Sequence, residues 1–63
     1  MTEAAKNGVH ISVPQRFSAC WIFVVEGWDA FFDNKESSAN PYPAGLRHDA
    51  WRHGYMEAMD YGN

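Results

Sequence analysis

Residues 17–33 read FSACWIFVVEGWDAFFD, and this stretch decides the fold because its apolar residues repeat with the period of a helix. At about 100° per residue, most of its apolar side chains fall in one arc of roughly 140°. The arc contains Phe17, Cys20, Trp21, Val24, Val25, Trp28, Phe31 and Phe32. Glu26, Asp29 and Asp33 lie on the opposite side. Since proline favours the first helical position, Pro14 predicts an amphipathic helix over residues 14–33.

A second helical pattern covers residues 45–60. Trp51, Tyr55 and Ala58 share one face at helical spacing, whereas Asp49 and Glu57 point away from it. Between the two patterns, residues 40–43 read NPYP. Each proline fixes its own φ near about −65° and pushes the residue before it out of helical space. We call residues 35–43 the strap and expect its NPYP part to be stiff and extended.

These patterns predict an all-α fold, a helix–strap–helix hairpin. Residues 9–13 alternate apolar and polar side chains as a short strand does, but a single strand has nothing to pair with. We therefore expect residues 1–13 to form a flexible, extended N-terminal arm and residues 14–63 to form one helical domain. Asn34 stands where it can cap the end of the first helix.

The composition indicates a fold that is stabilised by apolar burial. With 63 residues, the chain buries only about 60% of the surface that it exposes when unfolded. Its single cysteine excludes an intramolecular disulfide, and the sequence has no zinc-finger framework. Hydrophobic residues make up 46% and aromatic residues 16%, which argues against intrinsic disorder. So few residues cannot easily wall a deep substrate pocket, which disfavours an enzyme.

The net charge bears on the class of partner. Five Lys and Arg residues against eight Asp and Glu residues give a formal charge of −3. Nucleic-acid binders rely on excess positive charge, so direct nucleic-acid binding is disfavoured. The longest apolar run, residues 19–25, is much shorter than the roughly 20 residues that cross a bilayer, so we expect no membrane contact. Without a signal-peptide layout, we expect a cytoplasmic location, in a bacterium or in the host of a phage.

Two glycines interrupt the helical patterns, Gly27 in the first and Gly54 in the second. A glycine inside a helix costs about 1 kcal/mol relative to alanine, so its presence needs a reason. Close approach of two helix backbones is such a reason, and we predict that the helices cross at these glycines. The aromatic residues expected to fill the wedge between the helices are Trp28, Tyr42, Trp51 and Tyr55.

A set of motifs in register carries a family resemblance. The motifs are Gly27-Trp28-x-Ala30, Pro41-Tyr42 and Trp51-x-x-Gly54-Tyr55-x-x-Ala58. In this set, which lies between residues 26 and 60, the chain resembles the ribosome modulation factor family and its small plasmid- and phage-borne relatives. The resemblance implies a helical protein that binds the small ribosomal subunit near the messenger path and favours inactive ribosome dimers. Some relatives are reported to act on ciprofloxacin, which implies antibiotic modification as a further alternative.

The chain departs from that family in its charge, because typical members are basic. We interpret the acidic stripe of the first helix as a partner-binding face, flanked by bulky apolar residues that suggest an interface. The locally basic second helix offers an alternative face. The residues predicted to contact a partner are Ile22, Phe23, Glu26, Asp29, Asp33, Arg47 and Arg52. The residues predicted to be structural are Gly27, Trp28, Pro41, Tyr42, Trp51, Gly54 and Tyr55.

We expect no metal, no cofactor and no catalytic residue. His10 stands alone, and His48 and His53 are five residues apart, whereas two ligands on one helical face need a spacing of four. Cys20 lies on the apolar arc without a histidine placed to activate it. The sequence also has no glycine-rich phosphate loop of the kind that kinases and ATPases use.

These observations predict a non-catalytic regulatory protein that docks on a large RNA–protein assembly, such as the ribosome, and blocks its working site. The acidic stripe supports an alternative, a phage-encoded inhibitor of the anti-CRISPR type. Such an inhibitor would cover a basic nucleic-acid-binding surface of a host defence complex. An antibiotic-modifying enzyme is the third and least favoured class. Self-association as a homodimer also stays open.

Overall fold

The computed structural model describes residues 2–6 and 9–62 of the chain, with side chains described for residues 13–62. Strands β1 (Thr2–Lys6) and β2 (Val9–Val13) come first. A 3-10 helix, Gln15–Cys20, leads into helix α1, Trp21–Phe32. The strap contains a short 3-10 helix, Ser37–Ala39, and helix α2 is Leu46–Gly62. From residue 14 onward the protein is an all-α helical hairpin, as predicted.

The N-terminal segment differs from the expected extended lead-in. β1 and β2 pair as antiparallel strands, with Thr2 opposite Val13 and Lys6 opposite Val9. Residues 9–13 therefore do have a strand to pair with. The sequence TEAAK at residues 2–6 gave little sign of it, because alanine, glutamate and lysine are all depleted in strands. The expected flexibility of residues 1–13 falls partly on residues 1, 7 and 8, which lie outside the described residues.

The first helix begins differently from the prediction of one continuous helix over residues 14–33. Residues 15–20 form a 3-10 helix, and the backbone leaves helical geometry at Cys20, where φ is −123° and ψ is 22°. An unbroken α-helix would place Phe17 and Trp21 on one face. The break at Cys20 changes the angle between them, and Phe17 is buried whereas Trp21 is 47% exposed.

The two helices cross at the predicted glycines. A Cβ built on Gly27 would lie 1.8 Å from the carbonyl oxygen of Trp51, and one on Gly54 would lie 1.7 Å from the carbonyl oxygen of Val24. Both distances are far below any real contact, so only glycine allows the backbones to approach so closely. The predicted close approach of the helices at Gly27 and Gly54 is confirmed.

The core lies along this crossing. One buried cluster consists of Val13, Phe17, Val24, Trp28, Ala50 and Ala58. A second consists of Ala30, Trp51 and Tyr55, against which Phe31 and Tyr42 pack. Of the predicted core residues, Trp21 and Phe32 are instead about half exposed. They lie at the edge of the apolar arc, beyond the part that α2 covers.

The end of α1 follows a recognisable capping pattern. Asn34 takes a positive φ of 62°, and its backbone N–H donates to the carbonyl oxygen of Phe31. The N–H of Lys35 donates to the carbonyl oxygen of Ala30 over 2.9 Å. These two bonds form a Schellman motif, which stops the helix and turns the chain into the strap. The predicted cap at Asn34 is confirmed.

Candidate functional site

The strap is held between the two helices by hydrogen bonds at both of its ends. The hydroxyl of Tyr55 donates to the carbonyl oxygen of Lys35 over 2.8 Å. The side-chain amide of Asn40 donates to the carbonyl oxygen of His48 over 3.1 Å and accepts from the backbone N–H of Tyr42. The bonds from Tyr55 and Asn40 tie the strap to α2 across 20 and 8 residues of sequence, and the strap residues line two surface depressions.

One depression, which we call the acidic cleft, lies on the α1 side of the strap and has a volume of about 340 Å³. Helix α1 lines it with Glu26, Asp29 and Ala30, and Asp33 at the C-cap of α1 also lines it. The strap contributes Lys35, Ala39 and Pro41. Trp51 of α2 also lines the cleft. The structure therefore brings the three predicted stripe carboxylates together around a concave surface. Carboxylates in such an arrangement attract a positively charged group on a partner.

Glu26 has a second role within the fold. The hydroxyl of Tyr42 donates a hydrogen bond of 2.6 Å to Glu26 Oε1, which joins α1 to the strap. This hydrogen bond to the Glu26 carboxylate is the main cause that raises the pKa of Tyr42 above its ordinary value of 10.0. The sequence predicts a role for each residue but not a contact between them. They are separated by the whole turn between α1 and the NPYP segment, and nothing in their spacing indicates a contact.

The two bulky apolar residues beside the acidic stripe have different surroundings. Ile22 is 52% exposed, in keeping with a residue that is free to contact a partner. Phe23 is half-buried, and its ring packs edge-on against the ring of Tyr42, with centroids 5.0 Å apart. The guanidinium of Arg47 lies 5.7 Å from the centroid of the Phe23 ring. Phe23 therefore packs against the strap and is less exposed to a partner than Ile22.

The two arginines proposed as an alternative face do not converge. Arg47 and Arg52 are both exposed, but five residues separate them, which is about 140° around the axis of α2. Arg47 lies beside Phe23, whereas Arg52 borders a groove on the far side of the strap. A third arginine, Arg16, pairs with Asp49 over 3.2 Å. Arg16 and Arg52 line one further depression together with Asp49, whereas Arg47 is not part of that lining.

The histidines and the cysteine have ordinary structural surroundings. His48 Nδ1 lies 3.0 Å from the carbonyl oxygen of Tyr42, and because a carbonyl only accepts, this ring nitrogen is the donor. The ring of His53 lies 5.5 Å from that of Phe17. Cys20 is half-buried. Among the described residues, no three His, Cys, Asp or Glu side chains are grouped so as to hold a metal. The side chain of His10 lies outside the described set.

A second depression, which we call the methionine groove, was not predicted from the sequence. It lies on the α2 side of the strap and has a volume of about 430 Å³. The strap contributes Ser37, Ser38 and Asn40 to its lining. Helix α2 contributes His48, Arg52, Tyr55, Met56 and Met59. The available signal was the spacing of Arg52, Met56 and Met59, which recur on one helical face outside the buried one.

Comparison with known proteins does not assign the chain to a family. A scan against protein-family models finds no match, and searches of curated proteins and of solved structures find no significant match. The fold and the two depressions define a small helical hairpin with a strap between surface clefts. Neither helix in the described part of the chain is both long enough and apolar enough to cross a membrane.

Proposed function

We propose that this protein is a non-catalytic regulator that docks on a large RNA–protein assembly and blocks its working site. The observation that carries the proposal is the acidic cleft, where Glu26, Asp29 and Asp33 border one concave surface beside the strap. Large RNA–protein assemblies contain basic proteins whose surfaces neutralise nucleic acid. An acidic cleft complements such a basic surface and speeds the encounter with it.

The motifs that resemble ribosome modulation factor support the same proposal. Gly27 and Gly54 form the helix crossing, Tyr42 of the strap packs against the cluster that contains Trp51, and Trp51 lines the cleft. The residues that carry the resemblance thus form one connected part of the fold. The net charge of −3 makes a basic protein of the assembly a better docking site than its RNA.

A second function is favoured by the same cleft. An inhibitor of the anti-CRISPR type would place Glu26, Asp29 and Asp33 in a channel that normally holds a nucleic-acid backbone. In that case the partner is a nucleic-acid-binding effector complex, and added nucleic acid competes with the protein for the channel. Competition of this kind separates the two proposals.

The test is co-sedimentation of the purified protein with purified bacterial ribosomes. We expect the wild-type protein to pellet with a ribosomal subunit and the variant Asp33→Lys to pellet at least about fivefold less, because it reverses a charge in the cleft. Asp60→Lys is the matched control, since Asp60 is also an exposed aspartate at the C-terminal end of a helix but lies outside the cleft lining. We expect this control to pellet like the wild type.

Failure of the wild-type protein to pellet with ribosomes would overturn the ribosomal form of the proposal. The same three proteins are then assayed against a purified CRISPR effector complex, with and without its target DNA. Binding that Asp33→Lys weakens and target DNA displaces would support the inhibitor. Equal binding by all three proteins in either assay would exclude the acidic cleft as the contact surface.

A further inference from the structure

The methionine groove differs from the rest of the surface in its charge. The chain carries a net charge of −3, yet none of the residues that line this groove is an aspartate or a glutamate. Its one fully ionised side chain is Arg52, which is exposed. Within the part of the chain that the structure describes, Arg52 makes no ion pair, whereas Arg16 pairs with Asp49 and Arg47 lies over Phe23. Arg52 is therefore the arginine that is available to an incoming carboxylate.

The apolar part of the groove is formed by two methionines that are not buried in the core. Met56 is 50% exposed and Met59 is 37% exposed. Arg52, Met56 and Met59 follow one another at spacings of four and three residues, so they form a single stripe along α2. The stripe is about 10 Å long at 1.5 Å per residue. Methionine side chains are unbranched and polarizable, so they adapt to apolar side chains of different shapes.

The opposite wall of the groove is already fixed before any ligand arrives. Both polar ends of the Asn40 side chain are used inside the protein, and the hydroxyl of Tyr55 donates to Lys35. Ser37 and Ser38 of the strap also line the groove. A groove that is formed in advance loses less entropy when it binds a ligand.

We propose that the methionine groove binds a peptide segment of a partner protein. An acidic side chain of that segment pairs with Arg52, and one or two neighbouring apolar side chains pack on Met56 and Met59. A volume of about 430 Å³ lies within the range of ligand sites, roughly 300–1,000 Å³, and holds a few side chains. The groove and the acidic cleft have no lining residue in common, so this proposal is independent of the proposed function.

A peptide fits the groove better than a nucleic acid does. Proteins that hold single-stranded nucleic acid offer exposed aromatic rings on which bases stack. The tyrosine in this groove, Tyr55, is only 8% exposed, and its ring is stacked on Trp51 with centroids 5.4 Å apart. A single free guanidinium also gives little attraction for a phosphate backbone, which the net charge of the chain repels.

The first test selects ligands from a phage-displayed library of random peptides about 12 residues long, with the full chain immobilised. We expect enriched peptides to carry Asp or Glu close to Leu, Ile, Phe or Met. Fluorescence anisotropy of one enriched, labelled peptide then compares variants of matched charge. Arg52→Glu is expected to weaken binding at least about tenfold, because it replaces a charge-assisted hydrogen bond by repulsion. Arg47→Glu, on another surface, is expected to stay within about twofold.

A second measurement does not depend on how the variants fold. The full chain is labelled with ¹³C at its methionine methyl groups, and the enriched peptide is titrated into it. We expect the signals of Met56 and Met59 to shift. The proposal is overturned if no peptide is enriched, or if the enriched peptides are basic and lose binding in Asp33→Lys. It is also overturned if a mixed-sequence RNA of similar length shifts the two methyl signals and the peptide does not.

Discussion

Gly54 of α2 faces the carbonyl group of Val24 on α1 so closely that a Cβ at position 54 would lie 1.7 Å from that oxygen. The relationship is reciprocal, since a Cβ at Gly27 would lie 1.8 Å from the carbonyl oxygen of Trp51. Each helix thus contributes a carbonyl and a glycine three residues later. The crossing is a pair of equivalent backbone contacts, and the two glycines are needed together.

The first prediction concerns these contacts. Gly54→Ala adds one methyl group against a backbone oxygen that cannot turn away, so the helices must separate. Overpacking typically costs 1–3 kcal/mol, and we expect a loss of at least about 3 kcal/mol here, which is enough to unfold so small a domain. Thermal unfolding followed by circular dichroism measures the loss.

Gly62→Ala is the matched control for this substitution. A Cβ at Gly62 would meet the edge of the Phe31 ring at 3.1 Å, and a side chain at the end of a helix has room to move. We expect a change within about 1 kcal/mol, since alanine also has the higher helix propensity. A Gly54→Ala protein as stable as the Gly62→Ala protein would show that the helices do not cross at Gly54.

The second prediction compares two tryptophans. Trp51 is 3% exposed and stacks on Tyr55, so Trp51→Ala is expected to cost about 3–5 kcal/mol. Trp21 is 47% exposed, and Trp21→Ala is expected to cost less than about 1.5 kcal/mol. Urea unfolding of the two variants gives both values. If Trp21→Ala is the more damaging change, Trp21 lies in the core and the burial of the two tryptophans described above is wrong.

The two tryptophans also show which parts of the fold can be predicted from the sequence. The helical spacing of the apolar residues predicts both helices. The free-energy cost of a glycine inside a helix predicts where the two helices cross. The period places Trp21 only at the edge of the apolar arc. How much of that arc α2 covers depends on the packing of the two helices, which the local sequence does not show.

The candidate site was predictable only in part, for a similar reason. The carboxylates of Glu26, Asp29 and Asp33 share a helical face, and that grouping follows from their spacing alone. The path of the strap does not, because it depends on bonds such as that from Tyr55 to Lys35, which are 20 residues apart. Without the strap, neither the acidic cleft nor the methionine groove has a second wall, so neither was visible in the sequence.

The third prediction concerns the hydrogen bond from Tyr42 to Glu26. The carboxylate favours the neutral phenol, so the pKa of Tyr42 in the folded protein lies above its ordinary value of 10.0. A pKa that is raised by folding stabilises the fold below pH 10.0, and this contribution is lost as the pH rises through the pKa of the folded state. We expect NMR titration of ¹³C-labelled tyrosine rings to show Tyr42 ionising above pH 10.0.

The variant Glu26→Gln supplies the control for that titration. It keeps an oxygen that can accept from the phenol but removes the negative charge, so the pKa of Tyr42 should fall towards its ordinary value. Tyr42→Phe assigns the signal, since it removes one resonance of the three tyrosines. An unchanged Tyr42 pKa in Glu26→Gln would mean that the two side chains are not bonded in solution.

The last prediction concerns the rate at which the acidic cleft associates with a partner. Glu26 is a poor probe, because reversing its charge also removes the bond to Tyr42. Asp33 is the better one, because it follows the last turn of α1, where a lysine interacts favourably with the helix dipole. On a partner identified by co-sedimentation, Asp33→Lys should lower the association rate constant, and the deficit should shrink as salt screens the charges. Asp60→Lys should leave the association rate constant unchanged.

If Asp33→Lys instead raises the association rate constant, the partner surface is negative, and Arg47 and Arg52 become the residues whose charge is to be reversed. If stopped-flow kinetics show no change in either direction, the contact is apolar, and Ile22, which is 52% exposed beside the stripe, is the residue to replace with serine.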